Sequence, residues 1–154
     1  MELERVADYA TIISACLAVA SVMFVAYQIT DFKINHKEAL SVATWRDYER
    51  YSMDHPELSL MADTGEFDFS KLTLDGSREN FEKYEWYVSY MLWACVEVGE
   101  IKKSDDWDVT ILEQLKRHKR FLSSDYIRGK SDHKKATLHM LPRAFRRKVE
   151  SVVG

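Results

Sequence analysis

The sequence predicts an all-α protein, in which one N-terminal transmembrane helix continues into a stalk and then a small cytoplasmic helical bundle. Three observations predict it. Residues 9–30 carry no formal charge; as a helix they would reach roughly 33 Å, against a hydrocarbon core of about 30 Å. Neither glycine nor proline precedes Pro56, so nothing in the backbone obliges a helix leaving a bilayer to stop. Beyond Pro56, apolar residues recur at spacings of three and four, which is helical periodicity.

The first element is read as a retained anchor rather than a cleaved signal. A secretory leader needs a basic start, a short apolar stretch and small residues at the cut. Here Glu2, Glu4 and Asp8 outnumber Arg5. A cut after Ala18-Val19-Ala20 would leave Val22, Met23, Phe24 and Val25 at a new terminus. Ile13-Ser14-Ala15-Cys16 looks like a lipobox, but Asp8 interrupts the stretch before it and the apolar half follows the cysteine. The organisation is therefore a short tail over residues 1–8, a transmembrane helix over 9–32 and a cytoplasmic helical domain over 33–154. Lys33 and Lys37 follow the span while Arg5 alone precedes it, so the charge rule puts the amino terminus outside and the body in the cytoplasm. The expected location is a cell's inner membrane, crossed once.

Within the span, Ala10, Ser14 and Ala18 repeat every four residues. Small residues at that spacing let a second helix approach closely, so this stripe is the candidate site of helix packing and self-association. Past the bilayer, good helix formers extend the element to a rod of about 45 residues and roughly 70 Å. Ala39, Val42, Trp45, Tyr48 and Tyr51 form its packed stripe. Asp54-His55-Pro56-Glu57-Leu58 is a corner: proline suits the first turn of a new helix, with Asp54 or His55 as its cap and Glu57 favourable at its positive end.

Phe67, Phe69, Leu72 and Leu74 alternate, which suggests a short strand or an extended loop, although one strand needs a partner. Ser77 caps a central helix expected to run to Lys103, with Phe81, Tyr84, Val88, Met91, Leu92, Cys95 and Val98 on its core face. Trp86, Tyr90, Trp93 and Val96 make a second stripe, so this helix either sits mid-bundle or meets a partner; Trp86, Tyr90 and Trp93 are the candidate contact surface. A cap at Ser104-Asp105-Asp106 opens a helix through Leu122, whose face is Ile111, Leu112, Leu115, His118 and Leu122. A weaker segment around Gly129 follows, and Leu141-Pro142 opens a last helix, 143–153, docked by Phe145, Val149 and Val152.

Charge divides unevenly along the chain. Residues 44–112 hold 16 acidic and 7 basic side chains, whereas residues 113–154 hold 4 acidic and 12 basic. Lys116, Arg117, Lys119, Arg120, Arg143, Arg146 and Arg147 are the candidate basic surface. Such an end pairs with the acidic middle of the fold, or meets anionic lipid or a protein; without a groove-reading motif nucleic acid is not expected.

Nothing in the sequence spells a reaction. The five histidines fall in no metal-ligand spacing, so neither a metal nor another cofactor is expected. Glu82 with Glu85, and Glu97 with Glu100, sit one turn apart as solvated faces do, and no Glu-x-x-His accompanies them. There is no glycine-rich phosphate loop and no nucleophile elbow. Cys95 lies in an apolar stripe, which discourages a thiolate.

His55-Pro56-Glu57-Leu58, the aromatic block 84–93, Trp107 and Pro142-Arg143-Ala144-Phe145 together resemble a set of uncharacterised bacterial single-pass membrane proteins with a cytoplasmic helical domain. That resemblance implies topology and no mechanism. The expected function is a membrane-tethered interaction or scaffold module, or an accessory subunit of a membrane complex, whose partners are the bilayer and either itself or another membrane protein. The alternatives are an effector or sensor that oligomerises in the bilayer, or an enzyme whose polar pocket gathers Glu82, Glu85 or His118.

Overall fold

The computed structural model describes the backbone of residues 2–101, 105–129 and 137–154, and the side chains of all these except 2–4, 6, 7, 10, 11 and 105. Among the described residues there are seven helices and one two-stranded sheet. The chain divides into two units, Met1–Ala39 and Leu40–Gly154.

The first unit lies within α1 (Glu2–Asp54). Every described side chain from residue 12 to residue 39 is exposed. Ile12, Leu17, Val22, Met23 and Phe24 keep 58–70% of their surface uncovered. Two of its hydroxyls turn back on the helix: Ser21 Oγ donates to the Leu17 carbonyl at 2.8 Å and Thr30 Oγ1 to the Ala26 carbonyl at 2.9 Å. A polar group satisfied by its own backbone needs no water. This is one helix long and apolar enough to cross a membrane.

The second unit begins on the last turns of α1, where Ser41, Trp45 and Tyr48 are buried. Ala39, expected on this packed stripe, is exposed. At the corner, α2 (Pro56–Thr64) starts with proline in its first turn, and Leu58 and Ala62 face the core. His55 is the cap by position but makes no side-chain cap bond; its Nδ1 lies 3.2 Å from Glu57 Oε1 instead. Gly65 follows the element, extended at φ −67° and ψ 140°, where nothing larger fits: a Cβ there would sit 2.5 Å from Leu74 Cδ1 and 2.7 Å from the Met61 carbonyl oxygen.

The alternating stretch closes on itself. β1 (Phe67–Asp68) pairs antiparallel with β2 (Thr73–Leu74), in register Phe67 to Leu74 and Asp68 to Thr73. The Asp68 carboxylate organises the turn, accepting from Ser70 N at 3.0 Å, Ser70 Oγ at 2.6 Å and Lys71 N at 3.1 Å. These bonds, the Ser70 hydroxyl foremost, hold its pKa down to about 2. Phe67 and Phe69 then pack on Phe81, Tyr84 and Phe121, with centroids 5.1–6.1 Å apart.

The central helix, α3 (Arg78–Gly99), opens as expected, with Ser77 Oγ accepting from Asn80 N at 3.2 Å. It ends at Gly99, short of the expected Lys103, and both Lys103 and the Ser104 cap lie outside the described residues. Where one helix through Leu122 was expected, α4 (Asp105–Arg117) and α5 (Lys119–Leu122) are separated at His118. Its φ of −94° and ψ of 13° open the turn there. The last elements are α6 (Thr137–Met140) and α7 (Arg143–Val153), and α7 docks through Phe145, Val149 and Val153. Val153 thus takes the buried place expected of Val152, which is only half-buried.

Candidate functional site

On α3, tyrosines and tryptophans divide by face. Tyr84, Tyr87, Met91 and Cys95 are sealed in the core, whereas Trp86 is 72% and Trp93 55% exposed. Tyr90 lies between, partly buried against Tyr48 and Tyr51 at ring distances of 6.2 and 6.1 Å. With Tyr51 and Ser89, the three expected contact residues line an open apolar cleft of about 430 Å³. The second stripe is therefore a surface, apart from Val96, which is buried. Exposed tryptophan leaves apolar area uncovered on this face.

A second cleft, of about 450 Å³, is lined by residues of α1, α2, α3 and α4, among them Trp45, Met53, Leu60, Gln114 and Arg117. At its floor Tyr48 donates to Gln114 Oε1 at 3.0 Å, Tyr48 and Tyr87 hydroxyls lie 3.3 Å apart, and Ser52 Oγ is 3.2 Å from the Tyr87 hydroxyl. Burial, then the Tyr87 hydroxyl, push the Tyr48 pKa far above its ordinary value. This cluster was not read from the sequence. Tyr87 follows Tyr84 and precedes Met91 at helical spacing, which is the one local sign of its burial.

The basic residues play different parts. Arg120 donates to the Gly65 carbonyl at 2.7 Å and stands 5.4 Å from the Phe67 ring centroid, pinning the hairpin. Arg146 reaches three carbonyls, of Leu138 at 2.9 Å, His139 at 2.8 Å and Leu141 at 3.3 Å, which ties α6 to α7. Lys116 pairs with Glu113 at 2.8 Å, and Arg117 donates to Ser59 Oγ at 3.2 Å. Lys119, Arg143 and Arg147 are exposed. On α1, Ser14 and Ala18 are exposed, and the Ala10 side chain lies outside the described residues.

The residues weighed for catalysis are not gathered around an opening. Glu82 is exposed and bonded to Arg78 at 3.0 Å; Glu85 is buried and accepts from the Tyr126 hydroxyl at 3.0 Å. His118 is buried, with Nδ1 2.7 Å from the Tyr84 hydroxyl and Nε2 lacking a partner among the described residues. Burial, helped by the Arg117 charge, pushes its pKa down to about 4, so the ring is neutral at physiological pH. None of these three lines either cleft. Cys95 is likewise inert, its pKa pushed up to about 12 by burial. Among the described residues no three His, Cys, Asp or Glu side chains come together to hold a metal ion.

No family model, curated protein or solved structure matches this chain.

Proposed function

We propose that the chain is a membrane-tethered helical interaction module. Lipid holds the segment 9–32, and the compact body presents Trp86, Tyr90 and Trp93 to a partner in the same membrane complex. The observation that carries this reading is the exposure of the apolar part of α1: every described side chain from residue 12 to residue 39 is exposed, and in water so extended an apolar surface associates. Its inward-bonded hydroxyls suit hydrocarbon as well. In the proposed topology the amino terminus lies outside and the body on the cytoplasmic side of a bacterial inner membrane, by the lysine bias at Lys33 and Lys37. The module's output is proximity, since holding one surface at a membrane raises its effective concentration there without any chemistry.

The test is co-purification of the intact protein in mild detergent, comparing wild type with Trp86→Ala plus Trp93→Ala. Both side chains are largely exposed, so the body's stability should change by less than about 0.5 kcal/mol per site. Partner recovery should fall at least tenfold, about 1.4 kcal/mol, while membrane insertion persists. Unchanged recovery overturns this surface.

A further inference from the structure

The cleft beside Tyr48 and Tyr87 takes no part in tethering or in the Trp face. Its floor is a directed chain of hydroxyls. Tyr48 spends its proton on Gln114 Oε1, so the Tyr48–Tyr87 pair uses the Tyr87 proton and the Ser52–Tyr87 pair uses the Ser52 proton. The direction runs from Ser52 through Tyr87 and Tyr48 to Gln114. Spare capacity is left at the ends: lone pairs on Ser52 Oγ, and the amide N–H groups of Gln114. Both end residues line the cleft. Phenylalanine at 48 and 87 would fill the same core space without burying hydroxyls, which cost free energy unless bonded. This chain of bonds leads out to an open cleft at both ends.

Arg117, three residues after Gln114 on α4, also lines the cleft and gives one N–H to Ser59. A guanidinium has five N–H groups in a planar fork that matches a carboxylate. Gln114 and Arg117 make one donor-rich end, while Trp45, Met53 and Leu60 supply apolar wall. Glu49, the other charged lining residue, accepts the Trp45 Nε1 proton at 2.8 Å. A volume of about 450 Å³ suits a small organic molecule. We propose that this cleft binds a small amphipathic carboxylate, whose acid group is taken by Arg117 and Gln114 and whose single ring or short alkyl body lies against Trp45 and Leu60.

The experiment uses the full chain in lipid nanodiscs, titrated by saturation-transfer NMR with phenylpropionate, phenylpropanol and phenylpropylamine. Empty discs subtract partition into lipid. The acid should bind saturably and at least about tenfold more tightly than the alcohol or the amine, since only it makes a charge-assisted pair. Arg117→Ala should weaken the acid about tenfold, and Trp86→Ala should leave it unchanged. Gln114→Glu keeps the acceptor for Tyr48 but sets a carboxylate against the guest, so it should abolish binding with the fold intact by circular dichroism. Equal binding of the three probes, no saturable signal above empty discs up to about 10 mM, or an acid affinity indifferent to both variants overturns the proposal.

Discussion

Two stretches of the same helix share one habit, since Thr44 in the second also gives its proton to the carbonyl four residues back, that of Leu40 at 3.1 Å, but only the second adds hydroxyls that reach other elements. In the first unit, Ser21 and Thr30 give their protons to carbonyls four residues back. In the second, Tyr48 and Ser52 reach across to Tyr87 and Gln114, 35–66 residues away in sequence. The first arrangement makes each turn self-sufficient and asks nothing of its surroundings. The second makes a turn of helix depend on its neighbours, which is how a core acquires a unique arrangement. The difference teaches that α1 is one element by hydrogen-bond geometry and two by packing: one stretch is exposed and apolar enough to cross a membrane, the other packs against protein.

Charge breaks that contrast most strongly. Met23→Arg places a guanidinium within the apolar stretch, at about 3 kcal/mol against insertion, more than a hundredfold. The variant should be released by alkaline carbonate while the body keeps its thermal unfolding transition; retention in the pellet would show that lipid is not what covers this segment. Acid sharpens the other side. His118 is neutral when buried, its pKa lowered from an ordinary 6.5 to about 4. Above pH 6.5 folded and unfolded chains are both neutral at this ring, so it adds no pH dependence. Below that, the unfolded chain takes up the proton first and stability falls until the folded ring also protonates near pH 4. The loss should reach about 2 kcal/mol by pH 5, read as a falling urea midpoint, and His118→Phe should flatten that window. The smallest effect compares two serines. Ser52→Ala removes a bond to Tyr87 and should cost about 1 kcal/mol in urea unfolding of the body; Ser21→Ala removes only a bond to its own helix and should leave that midpoint unmoved.

Features fixed by local chemistry were legible in the sequence. Ser77 caps α3, Pro56 starts α2 and Pro142 precedes α7, because each acts on its own neighbours through a cap or a missing donor. The two-stripe pattern of α3 was legible but left open whether Trp86 and Trp93 lie mid-bundle or outside; packing leaves both exposed. The hairpin was half-legible: alternation of Phe67 and Phe69 was plain, but strands of two residues carry too little pattern to reveal that Thr73–Leu74 turns back to pair with Phe67–Asp68. The break at His118 was hidden, since Ile111, Leu115, His118 and Leu122 keep helical spacing straight through it. At the break the imidazole is buried among Tyr84 and Tyr87, contacts made 31–34 residues away that no local pattern records. The second cleft was invisible for the same reason, as Tyr48, Tyr87 and Gln114 meet only after three helices have packed.

Arg146 changes how the cationic end should be dissected. One guanidinium serves as mortar for three carbonyls where the chain passes from α6 to α7, using Nε for one and Nη2 for two, a planar fork that a lysine ammonium does not reproduce. Wholesale alanine replacement across this region would loosen the masonry and mimic a lost binding partner. Lys119, Arg143 and Arg147, exposed on the outside, are the bricks that can be exchanged to ask whether the end greets an anionic surface.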